Sequence, residues 1–259
     1  MQQLVGALVS AGLALAVLTP SAAQAPDELD VMSSGGFTAA YQDLSGAFTA
    51  TTGIELRTVY GASMGGAATS IPSRLQRGER ADVVILARAG LDRLVSEGHV
   101  VAGSEVDLAS SLVGMAVRDG AAVPDISSVE AFVATLLTAK SVAYSASASG
   151  TYLATELFPR LGIAEAMALK SIRVVGERVG AVVARGDATV GFQQVSELLP
   201  IDGITYVGPI PDAVQKITTF SAGLTTTARR PDDARRLIQF LAAPEAAPLI
   251  AKAGMTQAR

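Results

Sequence analysis

The stretch "VMSSGGFTAAYQDL" (residues 31–44) carries an apolar run straight into two serines and two glycines, and then into a helical pattern. Phe37, Ala40, Tyr41, Leu44 and Phe48 recur at the spacing that places them on one buried helical face. The stretch therefore reads as strand, tight polar turn, helix. No charged residue sits at the turn, so whatever the turn holds must be held by backbone and hydroxyl groups.

The same grammar repeats along the chain. Leu29–Met32, Ile54–Tyr60, Ala81–Ala87, Leu112–Val117, Ser141–Tyr144, Ile172–Val175 and Thr189–Phe192 are short β-rich runs separated by helical patterns. Strands alternating with helices predict an α/β fold with mixed, mainly parallel sheets covered by helices. In open α/β sheets, ligands bind beyond the carboxyl ends of the strands. Four such exits share a small, polar or glycine-rich composition: "SSGG" (33–36), "YGASMGG" (60–66), "YSASASG" (144–150) and "VGERVG" (175–180). Each opens a helix, and helix starts offer unpaired N–H groups to an anion. Ser and Gly are also ordinary cap and turn residues, so one such turn alone carries little weight.

Composition narrows the field further. The 259 residues are 49% hydrophobic with a net charge of −4, and basic residues cluster only as pairs such as Arg229-Arg230 and Arg235-Arg236, which argues against nucleic acid as a partner. Residues 1–25 carry no charge, and the apolar run Leu4–Leu18 followed by small residues reads as a cleaved signal peptide, with cleavage after Ala23 or Ala25. Export implies a periplasmic protein. No cysteine is present, so disulfides and thiol chemistry play no part.

The residues resemble the periplasmic molybdate-binding proteins of the type 2 periplasmic-binding-protein fold. The resemblance rests on "VMSSGGFTAAYQDLSGAFTATTGIEL", "RADVVILA", "ASGTYLATELFPRLG", "ARGDATVGF" and "ARRLIQFLAAPEAAPLIAKAGM". It implies two lobes with an interlobe cleft, lobe 1 from 26–107 plus 212–259 and lobe 2 from 108–211. Carried over residue by residue, the molybdate site is incomplete. The family's first ligand serine falls at Gly36 and its second at Ser63, two backbone donors fall at Ser149 and Gly176, and the ligand tyrosine falls at Gln194.

Arg88 ends the "ILAR" strand where the family usually has an acid, and Arg178 follows Gly176 in the first turn of the next helix. Both are candidates to hold a carboxylate, since a guanidinium matches its planar geometry. The competing reading for each is a solvated surface charge or an ion pair with Glu177 or Asp92. The motifs "SSGGF", "YGASMGG", "IPSRLQRGERADVVI" and "YSASASGTY" further resemble a subgroup that includes bacterial aconitate isomerase. That resemblance implies interconversion of cis- and trans-aconitate by allylic proton transfer, with no cofactor.

The expected anion site comprises Ser33, Ser34, Gly35, Gly36, Ser63, Met64, Arg88, Ser149, Gly150, Gly176, Arg178 and Gln194. Tyr152, Tyr60 and Glu177 are the candidate proton carriers, with Tyr144 behind them. His99, the single histidine, falls after a surface helix. With no cysteine and no clustered carboxylates, a metal site is not expected. The partner is a small carboxylate or oxyanion, and the chain is expected to act as a monomer. The alternative to an isomerase is a solute-binding protein delivering that anion to an ABC permease.

Overall fold

The computed structural model describes residues 28–258; the leader segment read at 1–25 lies outside them. Two sheets organise the chain. The first has the order β11-β4-β10-β3-β1-β2, built from β1 (Glu28–Ser34), β2 (Glu55–Gly61), β3 (Val83–Ala87), β4 (Val106–Ser111), β10 (Thr218–Leu224) and β11 (Thr256–Gln257). The second has the order β7-β6-β8-β5-β9, built from β5 (Val113–Arg118), β6 (Val142–Ser145), β7 (Ser171–Val174), β8 (Val190–Gln194) and β9 (Ile204–Pro209). Each sheet is the spine of one lobe.

Helices cover both faces of each sheet, which is why the central strands are buried throughout. Leu29 and Val31 of β1 pack with Tyr41, Leu44 and Phe48 of the helix Thr38–Thr52 and with Leu237 and Leu241 of the helix Pro231–Ala242. Met32, on the opposite face of β1, joins Ile71, Leu91 and Leu94 in a separate core. The second lobe repeats the arrangement with Phe132, Leu157 and Phe192 on one face and Val174, Val179 and Val183 on the other. The helix Thr38–Thr52 stops at Gly53, whose φ of +73° closes the C-terminus in the left-handed conformation.

Both sheets are mixed. β1, β2 and β3 run parallel to one another, as do β6, β7 and β8. Antiparallel pairing has a larger share than the sequence pattern suggests, because β4, β9, β10 and β11 were not foreseen and all pair antiparallel. The consequence for function is that the parallel strands of each lobe send their polar exits to one end of their sheet.

The chain crosses between lobes at Leu112, between β4 and β5, and again through 210–217, between β9 and β10. One side chain ties the two crossings together. Gln215 accepts from Val113 N at 2.9 Å and donates to Val113 O at 3.0 Å and Ile210 O at 3.2 Å, standing in for a neighbouring strand.

Candidate functional site

The exits of β1, β2, β6, β7 and β8 surround one cavity of about 590 Å³. Ser34, Gly35 and Gly36 form one wall, Tyr60 and the 61–67 turn a second, Ser145–Ser149 a third, and Arg173–Arg178 with Gln193, Gln194 and Glu197 the last. The first two walls belong to the first lobe and the others to the second. The lobes touch at this point: Ser196 Oγ donates to Gly36 O at 2.6 Å.

The hydroxyl and amide groups of the wall are not equivalent. Ser63 is buried and accepts from Ala87 N at 3.0 Å, so its own proton remains available to an acceptor in the cavity. Ser149 shares a 3.2 Å hydrogen bond with Ser145. Ser34 Oγ is buried with no partner among the described residues, and so is Gln194 Oε1, while Gln194 Nε2 donates to Thr218 Oγ1 at 2.8 Å. A buried polar atom without a partner is expensive, and both of these lie on residues of the cavity wall.

Gly36, where the resemblance read from the sequence expects a ligand serine, has no room for a side chain. A β-carbon there would collide with the ring of Phe220, which also lines the cavity. Gly35 is held bare by a different neighbour, since a β-carbon on it would strike the carboxyl of Glu197. Gly176 has a φ of +79°, a conformation that favours glycine, and turns the chain into the helix Val179–Arg185. Gln193 Oε1 accepts from Val179 N at 2.8 Å and pins that helix to the end of β8.

Several sequence-derived candidates sit elsewhere. Arg88 opens the helix Arg88–Ser96 and is bound to Asp92 at 2.7 Å and Asp107 at 2.9 Å; it is off the wall of this cavity and lines a smaller one of about 240 Å³ with Met64, Ser149 and Tyr152. Tyr152 ends the helix Ala148–Tyr152, where it is buried and donates its hydroxyl to Val214 O at 2.7 Å while accepting from Arg160 at 3.1 Å. Tyr144 packs edge-on to Phe158. Gly150 is off the cavity wall: a side chain there would run into Ser145 O, so the glycine serves close packing.

Ser33 is fully buried within β1, one residue before the exit. His99 lies past the helix Arg88–Ser96, its carbonyl accepting from Thr226 N at 3.0 Å. Glu177 is on the cavity wall but is bound by Arg185 at 2.7 and 3.2 Å, which holds its carboxyl below the usual range. Arg178 is also on the wall, as the residue preceding the helix Val179–Arg185 rather than in its first turn. Met64 and Tyr60 line the cavity as well, and burial raises the Tyr60 phenol above its ordinary range.

Two residues of the wall had no signal of their own in the sequence. Arg173, within β7, forms no ion pair among the described residues, and neither does Arg178. Glu197, in the short helix Val195–Leu198, sets its carboxyl against the bare backbone of Gly35. Burial pushes its pKa up to about 7, partly offset by the charge of Arg178 and by hydrogen bonds to Gln193 and the Gln194 backbone. A carboxyl that changes charge near neutrality thus feels the charge of a guanidinium that forms no ion pair among the described residues.

The profile of the bacterial extracellular solute-binding proteins matches residues 29–256. The chain belongs to that family. Within the solute-binding fold, the chain is 45% identical over 245 residues to an aconitate isomerase of Pseudomonas sp., covering 94% of each sequence. Among solved structures, the periplasmic molybdate-binding protein of Azotobacter vinelandii superposes with a TM-score of 0.71 at 19% identity, covering 89% of this chain and all of that one. The substrate-binding domain of a putative molybdenum ABC transporter from Clostridium difficile gives a TM-score of 0.65 at 20% identity, covering 90% and 99%. These two establish the two-lobed fold of the solute-binding proteins.

Proposed function

We propose that this chain is an exported, periplasmic isomerase that interconverts cis- and trans-aconitate by moving a proton between the two ends of the allylic system. The observation that carries the reading is the cavity itself. Arg173 and Arg178 line it without ion-pair partners among the described residues, and Ser34, whose buried hydroxyl has no partner among them, is on its wall. Its volume of about 590 Å³ suits a small organic ligand rather than a tetrahedral oxyanion held by a close shell of hydroxyls. The similarity to an aconitate isomerase supports the same ligand class. A tricarboxylate would place its carboxylates on the arginines and on the Ser34, Ser63 and Ser149 hydroxyls, leaving its carbon skeleton over the middle of the cavity.

In this reading residues 1–25 direct export and are removed, lobe 1 spans 26–107 plus 212–259, lobe 2 spans 108–211, and the protein acts as a monomer without a cofactor. The reading is tested by incubating the purified mature protein with trans-aconitate and following the cis isomer by chromatography; sustained conversion is expected. The second reading, a binding protein that hands a carboxylate or oxyanion to an ABC permease, is supported by the family and by the fold of its molybdate-binding neighbours. Tight one-to-one binding without conversion would favour it.

A further inference from the structure

We infer that Glu197 is the catalytic proton carrier of the isomerase proposed above, taking the proton from one end of the allylic system and returning it to the other. The inference rests on that reading. It starts from a process of elimination among the groups that reach the cavity. Two carboxyl groups line it, and Glu177 is held by Arg185 through two hydrogen bonds. Of the tyrosines considered, Tyr152 spends its hydroxyl on Val214 O and Tyr144 packs on Phe158. Tyr60 lines the cavity, but a phenol is ordinarily protonated near neutrality and so is a poor group to remove a proton.

Glu197 is placed differently from all of these. It projects from the second lobe onto Gly35 of the first, at the seam where Ser196 is bonded to Gly36 O. The absence of a side chain at 35 leaves room for the carboxyl, which lines the cavity, and Ser34, whose hydroxyl lacks a partner among the described residues, precedes it. Arg178 stands near enough for its charge to be felt at Glu197. A base beside a fixed cation is what an enolate-forming step requires.

The step balances without any further reactant. The Glu197 carboxylate removes a proton from the substrate CH₂; the C–H pair becomes part of a dienolate whose negative charge spreads onto the adjoining carboxylate, beside Arg178. The protonated carboxyl then delivers that proton to the former vinylic carbon, and the double bond moves by one position. Rotation within the delocalised intermediate, before the proton returns, sets cis or trans geometry. One carboxyl serves both ends because it returns to its starting charge at the close of each cycle.

The test uses the mature protein with trans-aconitate. For Glu197→Gln, kcat is expected to fall by roughly a thousandfold or more while calorimetric affinity for trans-aconitate stays within about threefold. For the wild type, kcat/KM is expected to rise with pH and level off above the Glu197 titration, and substrate deuterated at its CH₂ is expected to carry part of its deuterium to the other allylic carbon in ordinary water. If E197Q turns over within about tenfold of the wild type, Glu197 is not the carrier and the isomerase reading survives. A wild type that binds and never converts removes both. Should E197Q fail to fold, a pH profile flat between about 5.5 and 8.5 in the wild type overturns the assignment.

Discussion

Two strand exits carry an arginine each, and they have opposite fates. Arg88 follows β3 and Arg178 follows the turn after β7; from the sequence both stand at the carboxyl end of a parallel strand. In the fold, Arg88 is paired with Asp92 and Asp107, which hold its guanidinium above even its ordinary high pKa, and it is not on the wall of the cavity that Arg178 lines. Arg178 lines the cavity with no ion-pair partner among the described residues. A position at a strand exit is therefore not enough to make a ligand-binding cation. What decides is whether the chain supplies its own counter-ion first, and for Arg88 the acids sit four residues along its helix and on β4, beyond β10 in the same sheet.

The contrast can be broken most directly by removing each guanidinium in turn. Arg178→Ala should lower kcat/KM for aconitate by roughly a hundredfold, the usual loss when a buried charge contact to a ligand is truncated; steady-state kinetics would measure it, and a loss below about threefold would place the anion elsewhere. Gly36→Ser introduces a hydroxyl where the resemblance read from the sequence expects one, against the ring of Phe220. It should destabilise the fold by about 1–3 kcal/mol through overpacking and yield no molybdate binding, as read by thermal melting and calorimetry.

A third variant sharpens the picture on the side of Glu197, the acid that faces Arg178 instead of neutralising it at a surface. Its folded pKa, near 7, lies above that of a free glutamate, so the folded state holds the proton more tightly. The resulting stabilisation is complete below the free carboxyl's pKa and is lost as pH rises through about 7. Glu197→Gln should therefore leave stability unchanged near pH 4.5 and raise it by about 1–2 kcal/mol at pH 8, seen as a Tm gap that opens with pH.

Tyr152→Phe, on the Arg88 side of the 145–152 segment, should cost about 1 kcal/mol for the lost bond to Val214 O and leave KM within about twofold. Arg88→Ala should do least, with less than about 1 kcal/mol of stability lost and kcat/KM unchanged, because its ion pairs are solvent-exposed.

The legible part of the molecule was the part written in short-range pattern. "VMSSGGF" became β1 and its exit because an apolar run ending in Ser-Ser-Gly-Gly has few other uses, and the 3.6-residue period of Tyr41, Leu44 and Phe48 found the core. The antiparallel strands escaped for a physical reason. β9 is only partly buried along its length and β10 opens with two partly buried threonines, so neither shows the continuous apolar run or the clean alternation that marks a strand. At the site, glycines and serines declared themselves by composition, whereas Glu197 sits in "QQVSELL", a segment that reads as any amphipathic turn. Its importance comes from Gly35, 162 positions earlier in sequence, and no local pattern connects the two.

The Gln215 clamp has a mechanical meaning. Because one amide binds Val113 on the outgoing passage and Ile210 before the return, the two passages are riveted side by side and cannot slide past each other. Any gaping of the molecule must then be a swing about that rivet, with the seam at Gly36 and Ser196 parting while the register of the passages is preserved.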